Sequence, residues 1–487
     1  MAWKLVENVV FCLIMSKASE KFYVTTPIYY VNDKPHVGHA YTTIMADVFA
    51  RYQRKVKGKE NVFFLTGTDE HGSKVAKSAK ANNLSPQEFA NVISESYKKV
   101  WSELDISYDE FFRTTDPRHE KVVQDYLQQL YDDGYIYKSI YKGLYCVGCE
   151  KFLSFDEIIN NACIYHPNTP LVEQEEENYF FKLKDFSSVV LNEINKRGYK
   201  ILPPERENEV VSKIKRGIND VSISRSGVAW GIPLPWDKSQ TVYVWVDALL
   251  NYYSATKIYP GKEKFWPPSL HLMAKDILWF HALVWESLLL ANKIELPKAI
   301  FAHGFFTVDG QKMSKTLGNV IDPIDLVKEY GSDATRYLLI SSFSYGNDGD
   351  ISLGKFKEKY NSDLANGIGN LVARIAKLCE TSDFDNTSNS VDSFSSEVTK
   401  WMDQYRPDEA IKSIWKNIAD FDRDIGNDKP WQLEKDELKI KLNLYVGRIL
   451  SIASDMKPFL PRTSDVISKT FSQNKIHKPD SIFPRKS

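Results

Sequence analysis

The sequence is poor in cysteine, in net charge and in long apolar runs. Five cysteines in 487 residues exclude a disulfide scaffold. Three of them, Cys146, Cys149 and Cys163, lie close together, which favours a metal site in a reducing compartment. The formal net charge is −1, so any nucleic-acid contact has to come from local basic patches. No apolar segment reaches transmembrane length. The run at 9–15 is too short for that and lacks the small-residue cleavage pattern of a secretory signal. Residues 1–15 contain no Arg and include Glu7, unlike a transit peptide. Organellar targeting and an extension ahead of a start at Met15 both stay open. Internal repeats are absent.

What is present fits an ordinary globular protein: 43% hydrophobic and 26% charged residues, with a length that suggests two to four domains. Residues 22–26 (FYVTT) predict a strand and 27–35 a loop. From Val37 to Tyr52, apolar residues recur at helical spacing. Residues 62–65 (VFFL) predict a second strand, which makes a βαβ unit and hence a parallel sheet. Between about 138 and 235 that rhythm stops. This stretch holds the cysteine cluster and an acidic run (Glu173, Glu175, Glu176, Glu177) that the sequence suggests is a solvated loop. Strands are again predicted at 242–246, 272–274 and 299–302. After about 325 the pattern turns helical, with apolar stripes through Leu364–Leu378, Ile411–Phe421 and Leu442–Ala453, as in a bundle.

Two motifs carry chemistry. His36-Val37-Gly38-His39 sits where the first strand passes into the first helix. Ligands of doubly wound sheets bind at that edge, and a helix N-terminus offers free N–H groups to a phosphate. Gly38 lets a base or phosphate approach the backbone, and the two histidines can donate to charge developing on a phosphate. Lys312-Met313-Ser314-Lys315-Thr316 follows a turn at Asp309-Gly310. Two lysines on a mobile loop suit a transient pyrophosphate. Taken singly, each motif also reads as an ordinary surface segment.

Together they resemble the two signatures of class I aminoacyl-tRNA synthetases, and the likeness runs from Phe22 to beyond Trp431. Further segments are similar to the bacterial and organellar methionyl branch with a single zinc knuckle: Thr26-Pro27-Ile28-Tyr29-Tyr30-Val31-Asn32, Thr66-Gly67-Thr68-Asp69-Glu70-His71-Gly72, Tyr243-Val244-Trp245-Val246-Asp247-Ala248 and Lys275-Asp276-Ile277. The resemblance implies a Rossmann-type α/β catalytic domain split by a zinc-binding insertion, then an all-α anticodon-binding bundle. The expected division is an extension (1–21), the first catalytic half (22–137), the insertion (138–235), the second catalytic half with the lysine loop (236–325), a stem-contact link (326–362) and the bundle (363–487).

By the same resemblance, Ile28, Tyr30, Trp245, Leu249, Tyr252, Ile277 and His281 would wall a methionine pocket, and Asp69 would hold the substrate ammonium. The chemistry agrees, because a flexible thioether packs well against aromatic rings. A hydroxyl or imidazole N–H near the sulfur would add weak preference over a methylene. Taken alone, Trp245 reads as a core residue of a strand. His36, Gly38, His39, Lys312, Ser314 and Lys315 would bind ATP, with His36, His39, Lys312 and Lys315 catalytic and Mg²⁺ arriving with ATP. Ala274 stands where the family usually has Gly, and Thr316 replaces the usual Ser.

Cys146-x-x-Cys149, thirteen residues, then Cys163-x-x-His166 match a tetrahedral Cys₃His zinc site with no open position, hence a structural one. Asn370 and Arg374 share a helix face, and Trp431 follows Asp428-Lys429-Pro430. The resemblance makes these three readers of a CAU anticodon on methionine tRNAs, by stacking and edge contacts. The expected partners are L-methionine and those tRNAs, with no membrane and a monomeric chain. The expected compartment is cytoplasm, or alternatively a mitochondrion or other organelle. Another class I synthetase is disfavoured because the insertion is too short for an editing domain. A non-catalytic RNA-binding relative is disfavoured because both motifs are intact.

Overall fold

The computed structural model describes residues 20–149, 151–153, 157–313, 318–342, 344, 346–388 and 391–486. The expected extension lies outside them except for its last two residues. The elements that build the site are β1 (Phe22–Tyr30), α1 (Val37–Lys57), β2 (Val62–Asp69), β3 (Glu110–Arg113), α2 (Pro117–Asp132), β4 (Ile136–Cys146), β5 (Leu171–Phe181), β6 (Lys200–Leu202), α3 (Val244–Ile258), β7 (Leu270–Ala274), β8 (Ala299–His303), α4 (Ser332–Ser341), α5 (Asn370–Thr381), α6 (Pro407–Asp428) and α7 (Lys435–Met456).

A six-stranded sheet runs β3-β2-β1-β7-β8-β6, and every pairing in it is parallel. Strands buried on both faces must be apolar on both, and these are. Phe22 and Val24 of β1 join one core, while Tyr23 joins the other. Phe64 and Leu272 sit with the first core, and Phe63 and Met273 with the second. The first core continues without a break into the helical bundle through Leu338, Leu364, Ile414 and Val446. The α/β fold with a parallel sheet is therefore as the sequence predicts.

Three local features differ from the sequence pattern. The strand expected at 242–246 is only Gln240–Val242, and helix α3 begins at Val244. Tertiary context overrides the β-branched run here, because Asp247 in the helix's first turn is anchored by two histidines. The acidic run is not a loop but part of β5, paired antiparallel with β4 over eleven residues. Lys142 lies 3.5 Å from Glu173 and Lys138 2.8 Å from Glu177. The cross-strand lysines thus accommodate the carboxylates. Finally, β6 returns from the segment 138–235 to pair with β8, so part of the expected insertion belongs to the main sheet.

Sheet and bundle are tied by a buried charge pair. Asp47 on α1 and Arg336 on α4 are both fully buried and 2.8 Å apart. Arg51 Nε also donates to Asp47 at 2.7 Å, as do the Ser107 backbone N–H (2.7 Å) and hydroxyl. Arg336 spends its remaining donors on the carbonyls of Leu104, Pro458 and Phe459. Burial would raise the Asp47 carboxyl's pKa, but the charges of Arg336 and Arg51 hold it below the usual carboxylate range. Removing Arg336 would leave the buried Asp47 with Arg51 as its remaining cationic partner and take the donor from three backbone carbonyls. Arg336→Met should therefore lower the stability read from guanidinium unfolding by about 3–5 kcal/mol. A midpoint equal to that of the unsubstituted chain would show that the pair does not hold sheet and bundle together.

Candidate active site

The carboxyl ends of β1, β2, β7 and β8 open into one cavity of about 580 Å³. Ile28, Tyr30, Asp69, Trp245, Leu249, Tyr252, Ile277 and His281 all line it, and so do His36, Gly38 and His39. Residues more than 200 positions apart in the chain thus meet in one hollow. Met313 also reaches its wall. Lys312 ends the short strand Gln311–Lys312. Its side chain, Ser314, Lys315 and Thr316 lie outside the described residues.

The two histidines are held by the start of α1. His36 is the N-cap residue, and its Nδ1 accepts from the Gly38 N–H at 3.1 Å. The His36 N–H in turn donates to His39 Nδ1 at 3.3 Å, which closes a capping box made of two imidazoles. The rings stack at 3.8 Å. Both Nδ1 atoms are acceptors, so each neutral ring carries its proton on Nε2. Burial pushes His36 down to about 4 and His39 well below its ordinary value, the latter helped by His36. A Cβ at position 38 would lie 2.9 Å from His36 Cε1, which is why glycine stands between the two rings.

Asp69 ends β2 opposite Tyr30 on β1 and is buried. The turn after it is pinned by Glu70, fully buried, which takes Arg113 through both oxygens (2.7 and 3.0 Å) and also accepts from Thr68, Ser94 and Thr115. On the cavity wall formed by α3, Trp245, Leu249 and Tyr252 recur at i, i+4 and i+7, one face of the helix. Trp245 stacks on Phe280 at 4.3 Å with nearly parallel planes. His281 Nδ1–H donates to the Ile277 carbonyl at 3.0 Å, so its bare Nε2 accepts from the Tyr252 hydroxyl at 2.9 Å. Burial lowers His281 to about 4. Ala274 lines the cavity in ordinary extended backbone (φ −80°, ψ 155°), a conformation that needs no glycine.

His303, at the end of β8, is a cavity residue that the motifs do not mark. Its Nδ1–H donates to the Gly304 carbonyl, and its Nε2 accepts from Thr42 of α1 at 2.7 Å. Phe280 was equally unmarked. A histidine followed by glycine at a strand end, and an aromatic beside His281, are the signals that would have found them.

Cys146, Cys149, Cys163 and His166 offer ligand atoms that all lie within 4.8 Å of one another. That spacing suits four ligands around one tetrahedral ion, so the cluster can hold a metal. A Cβ at Gly148 would meet His166 Cγ at 2.5 Å, so only glycine lets the two ligand pairs close. Lys74 donates to the Gly148 carbonyl at 2.6 Å, and Cys149 and His166 form part of the cavity rim. The cluster therefore shapes the mouth of the site. Among the described residues no other group of three or more such side chains could hold a metal, and no helix is long and apolar enough to cross a membrane.

In the bundle, Asn370 and Arg374 lie on α5, and the Arg374 guanidinium is 6.0 Å from the Trp431 ring. Trp431 is 59% exposed, unusual for an indole that could have been buried. Its turn is fixed by Asp428, which accepts from Lys441 (2.8 Å) and Tyr445 (2.7 Å).

Comparison with known proteins points the same way. The family model described as "tRNA synthetases class I (M)" matches residues 22–163 and 149–376. A methionine–tRNA ligase of Thermotoga maritima is 41% identical over 93% of this chain and 75% of its own length. The chloroplastic/mitochondrial methionine–tRNA ligase of Arabidopsis thaliana is 47% identical over 74% of this chain and 60% of its own length. The crystal structure of Mycobacterium tuberculosis methionyl-tRNA synthetase bound by methionyl-adenylate superposes with a TM-score of 0.86 at 32% identity, covering 96% of this chain and all of that one.

The site's neutral histidines set a pH window. His36, His281 and His303 titrate near 4 when folded, against 6.5 when free. Between those values the unfolded chain binds more protons, so stability falls as the pH is lowered through the window. His71, whose value is raised, works in the opposite sense. Urea midpoints measured from pH 7 down to pH 4 should decline less in His281→Gln than in the unsubstituted chain. Parallel curves would mean that His281 does not fold as the neutral form.

Proposed function

The chain belongs to the methionyl family of class I tRNA synthetases, and from that premise we propose how its residues divide the work of a methionine–tRNA ligase. Such an enzyme activates L-methionine with ATP to methionyl-adenylate and then transfers the methionyl group to the 3′ end of its tRNA. The observation that carries the assignment is one cavity walled together by Asp69, by the rings of Tyr30, Trp245 and Tyr252, and by the His36–His39 helix start.

Asp69 takes the substrate ammonium. The thioether lies against Trp245, Tyr252, Leu249, Ile28 and Ile277. The expected N–H donor to sulfur is not what this geometry supports, because His281 and Tyr252 hydrogen-bond each other and the Ile277 carbonyl. Preference for sulfur over a methylene then rests on its polarizable contact with the rings. A methionine carboxylate oxygen attacks the α-phosphorus of ATP, and the bond to pyrophosphate breaks. His36 and His39 donate from Nε2–H to the phosphate oxygens, and the positive end of the α1 dipole adds to that field. Lys312, Ser314 and Lys315 cover the leaving pyrophosphate. Mg²⁺ comes as the counter-ion of ATP and neutralises phosphate charge. In the second step the terminal ribose hydroxyl of the tRNA attacks the acyl carbon and AMP leaves.

Zinc is the metal we assign to the Cys146–Cys149–Cys163–His166 cluster, on the softness of three thiolates and one imidazole. It is a structural ion that stiffens the site's mouth. Asn370, Arg374 and Trp431 form the anticodon contact, with Trp431 stacking on an unpaired base. One chain carries the whole set of site residues, which supports a monomer as the working unit. The similar proteins include bacterial and plant organellar enzymes, which favours a bacterial cytoplasm or an organelle as the compartment.

Pyrophosphate exchange into ATP, run with each of the twenty amino acids and no tRNA, should proceed with methionine alone. In that assay His39→Ala should lower kcat by about 10²–10³ while the KM for methionine stays within a few-fold. Loss of methionine binding without loss of kcat would remove His39 from the phosphate role. Trp431→Ala should leave exchange unchanged and weaken tRNA by about 1–3 kcal/mol in aminoacylation. An unchanged KM for tRNA would move the anticodon contact elsewhere.

A further inference from the structure

Behind the methionine wall lies a polar cluster that the reaction chemistry does not use. Asp247 is 1% exposed and bridges two histidines from distant parts of the chain. Its Oδ2 is 2.7 Å from Nδ1 of His71, and its Oδ1 is 2.8 Å from Nε2 of His119. His71 follows Asp69 by two residues on the turn after β2. His119 is fully buried near the start of α2. Asp247 sits in the first turn of α3. The cluster thus joins three elements, and two of them carry lining residues of the proposed pocket.

The helix geometry makes the join directional. At about 100° per residue, Asp247 lies roughly 200° around α3 from both Trp245 and Leu249. The helix therefore shows its rings to the cavity and its carboxylate to the histidines behind. A carboxylate held on both oxygens fixes not only the distance of α3 from the β2 turn but also its rotation. The proton positions are determined by the partners. His119 Nδ1 is buried and has no hydrogen-bond partner, so the ring's proton is on Nε2 and donates to Asp247. His71 donates from Nδ1, while its Nε2 faces Glu120 at 3.7 Å. The indole of Trp230 flanks His71 at 5.4 Å, and the ring of Phe112 meets His119 edge-on at 4.9 Å. Burial would disfavour the Asp247 charge, but the two histidines hold its carboxyl below the usual range.

We propose that Asp247, with His71 and His119, is a positioning residue of the methionine pocket: the clamp sets the separation between the Asp69 carboxylate and the Trp245–Tyr252 face, and so the length of amino acid that can engage both. This rests on the assignment of Asp69, Trp245 and Tyr252 to methionine. Among the described residues, the hydrogen bonds and ion pairs of the clamp do not reach the His36–His39 start of α1, so ATP binding should be independent of it. A purely structural cluster would instead lower stability and disturb both substrates alike.

The test uses the full chain in methionine-dependent pyrophosphate exchange, with melting temperatures measured alongside. Asp247→Asn keeps the shape but cannot accept from both histidines, and His119→Leu removes a donor. Each should raise the KM for methionine by about tenfold or more, a 1 Å misplacement being enough for a loss of that size, and leave the KM for ATP within about twofold. His119→Gln, whose amide can donate from nearly the place of Nε2, should return the methionine KM to within about threefold of the unsubstituted value. If His119→Leu does not fold, Asp247→Asn decides. An unmoved methionine KM in folded Asp247→Asn, or equal changes for methionine and ATP, overturns the proposal. Trp245→Ala, run beside them, reports on the pocket itself. If it leaves the methionine KM unchanged, the pocket assignment has failed, whatever Asp247 does.

Discussion

Parallel pairing of β1 with β2 on one side and β7 on the other is the constraint from which the site follows. Parallel strands end on the same edge. The ends of β1, β2, β7 and β8 therefore bring Tyr30, Asp69, Ala274 and His303 to one rim. The helix that follows β1 starts at that rim, so the positive end of its dipole and its two capping imidazoles face the same space. An antiparallel arrangement would have scattered these residues to both edges. Chemistry at this site is thus a consequence of strand direction before it is a matter of any single side chain.

A second layer is made of buried charges that never meet a substrate in the proposed reaction. Asp47 with Arg336, Glu70 with Arg113, and Asp247 with His71 and His119 each connect elements far apart in sequence. Buried pairs of this kind add little net stability compared with apolar packing, because desolvation offsets most of the attraction. What they add is a single permitted arrangement, since any other would leave a charge unpaired. Their placement is consistent with that use: one pair joins sheet to bundle, another pins the turn that bears Asp69, and the third joins that turn to α3. The metal-capable cluster does the same at the mouth of the site, where the local core among the described residues is small, Leu153 packing with Cys146 and Cys163.

Much of this was legible in the residues. The βα rhythm, the helical stripes, the Cys/His spacing and the two motifs are local patterns, and local patterns survive in a sequence read one residue at a time. The eight pocket residues came from resemblance and not from periodicity. Trp245 shows the limit. In isolation the β-branched and aromatic run around it predicts a strand, yet Trp245 is in the first turn of a helix, because Asp247 is held from outside by partners more than 100 positions away. The acidic run of β5 failed in the same way. Glu173, Glu175 and Glu177 are exposed as expected, but they lie on a strand and not a loop because β4 pairs alongside them.

Residue patterns were enough for the parallel α/β class, the helical C-terminal region, the metal-ligand quartet and the family. Each depends on residue type and spacing within short motifs, and on which motifs occur together along the chain. Tertiary structure alone decided that Lys200–Leu202 rejoins the main sheet, that His303 and Phe280 enter the cavity, and that Asp47 and Asp247 are the points where distant elements lock. Those outcomes depend on which side chains become neighbours across long loops. A buried polar group takes whatever partner satisfies it, and no local pattern names that partner in advance.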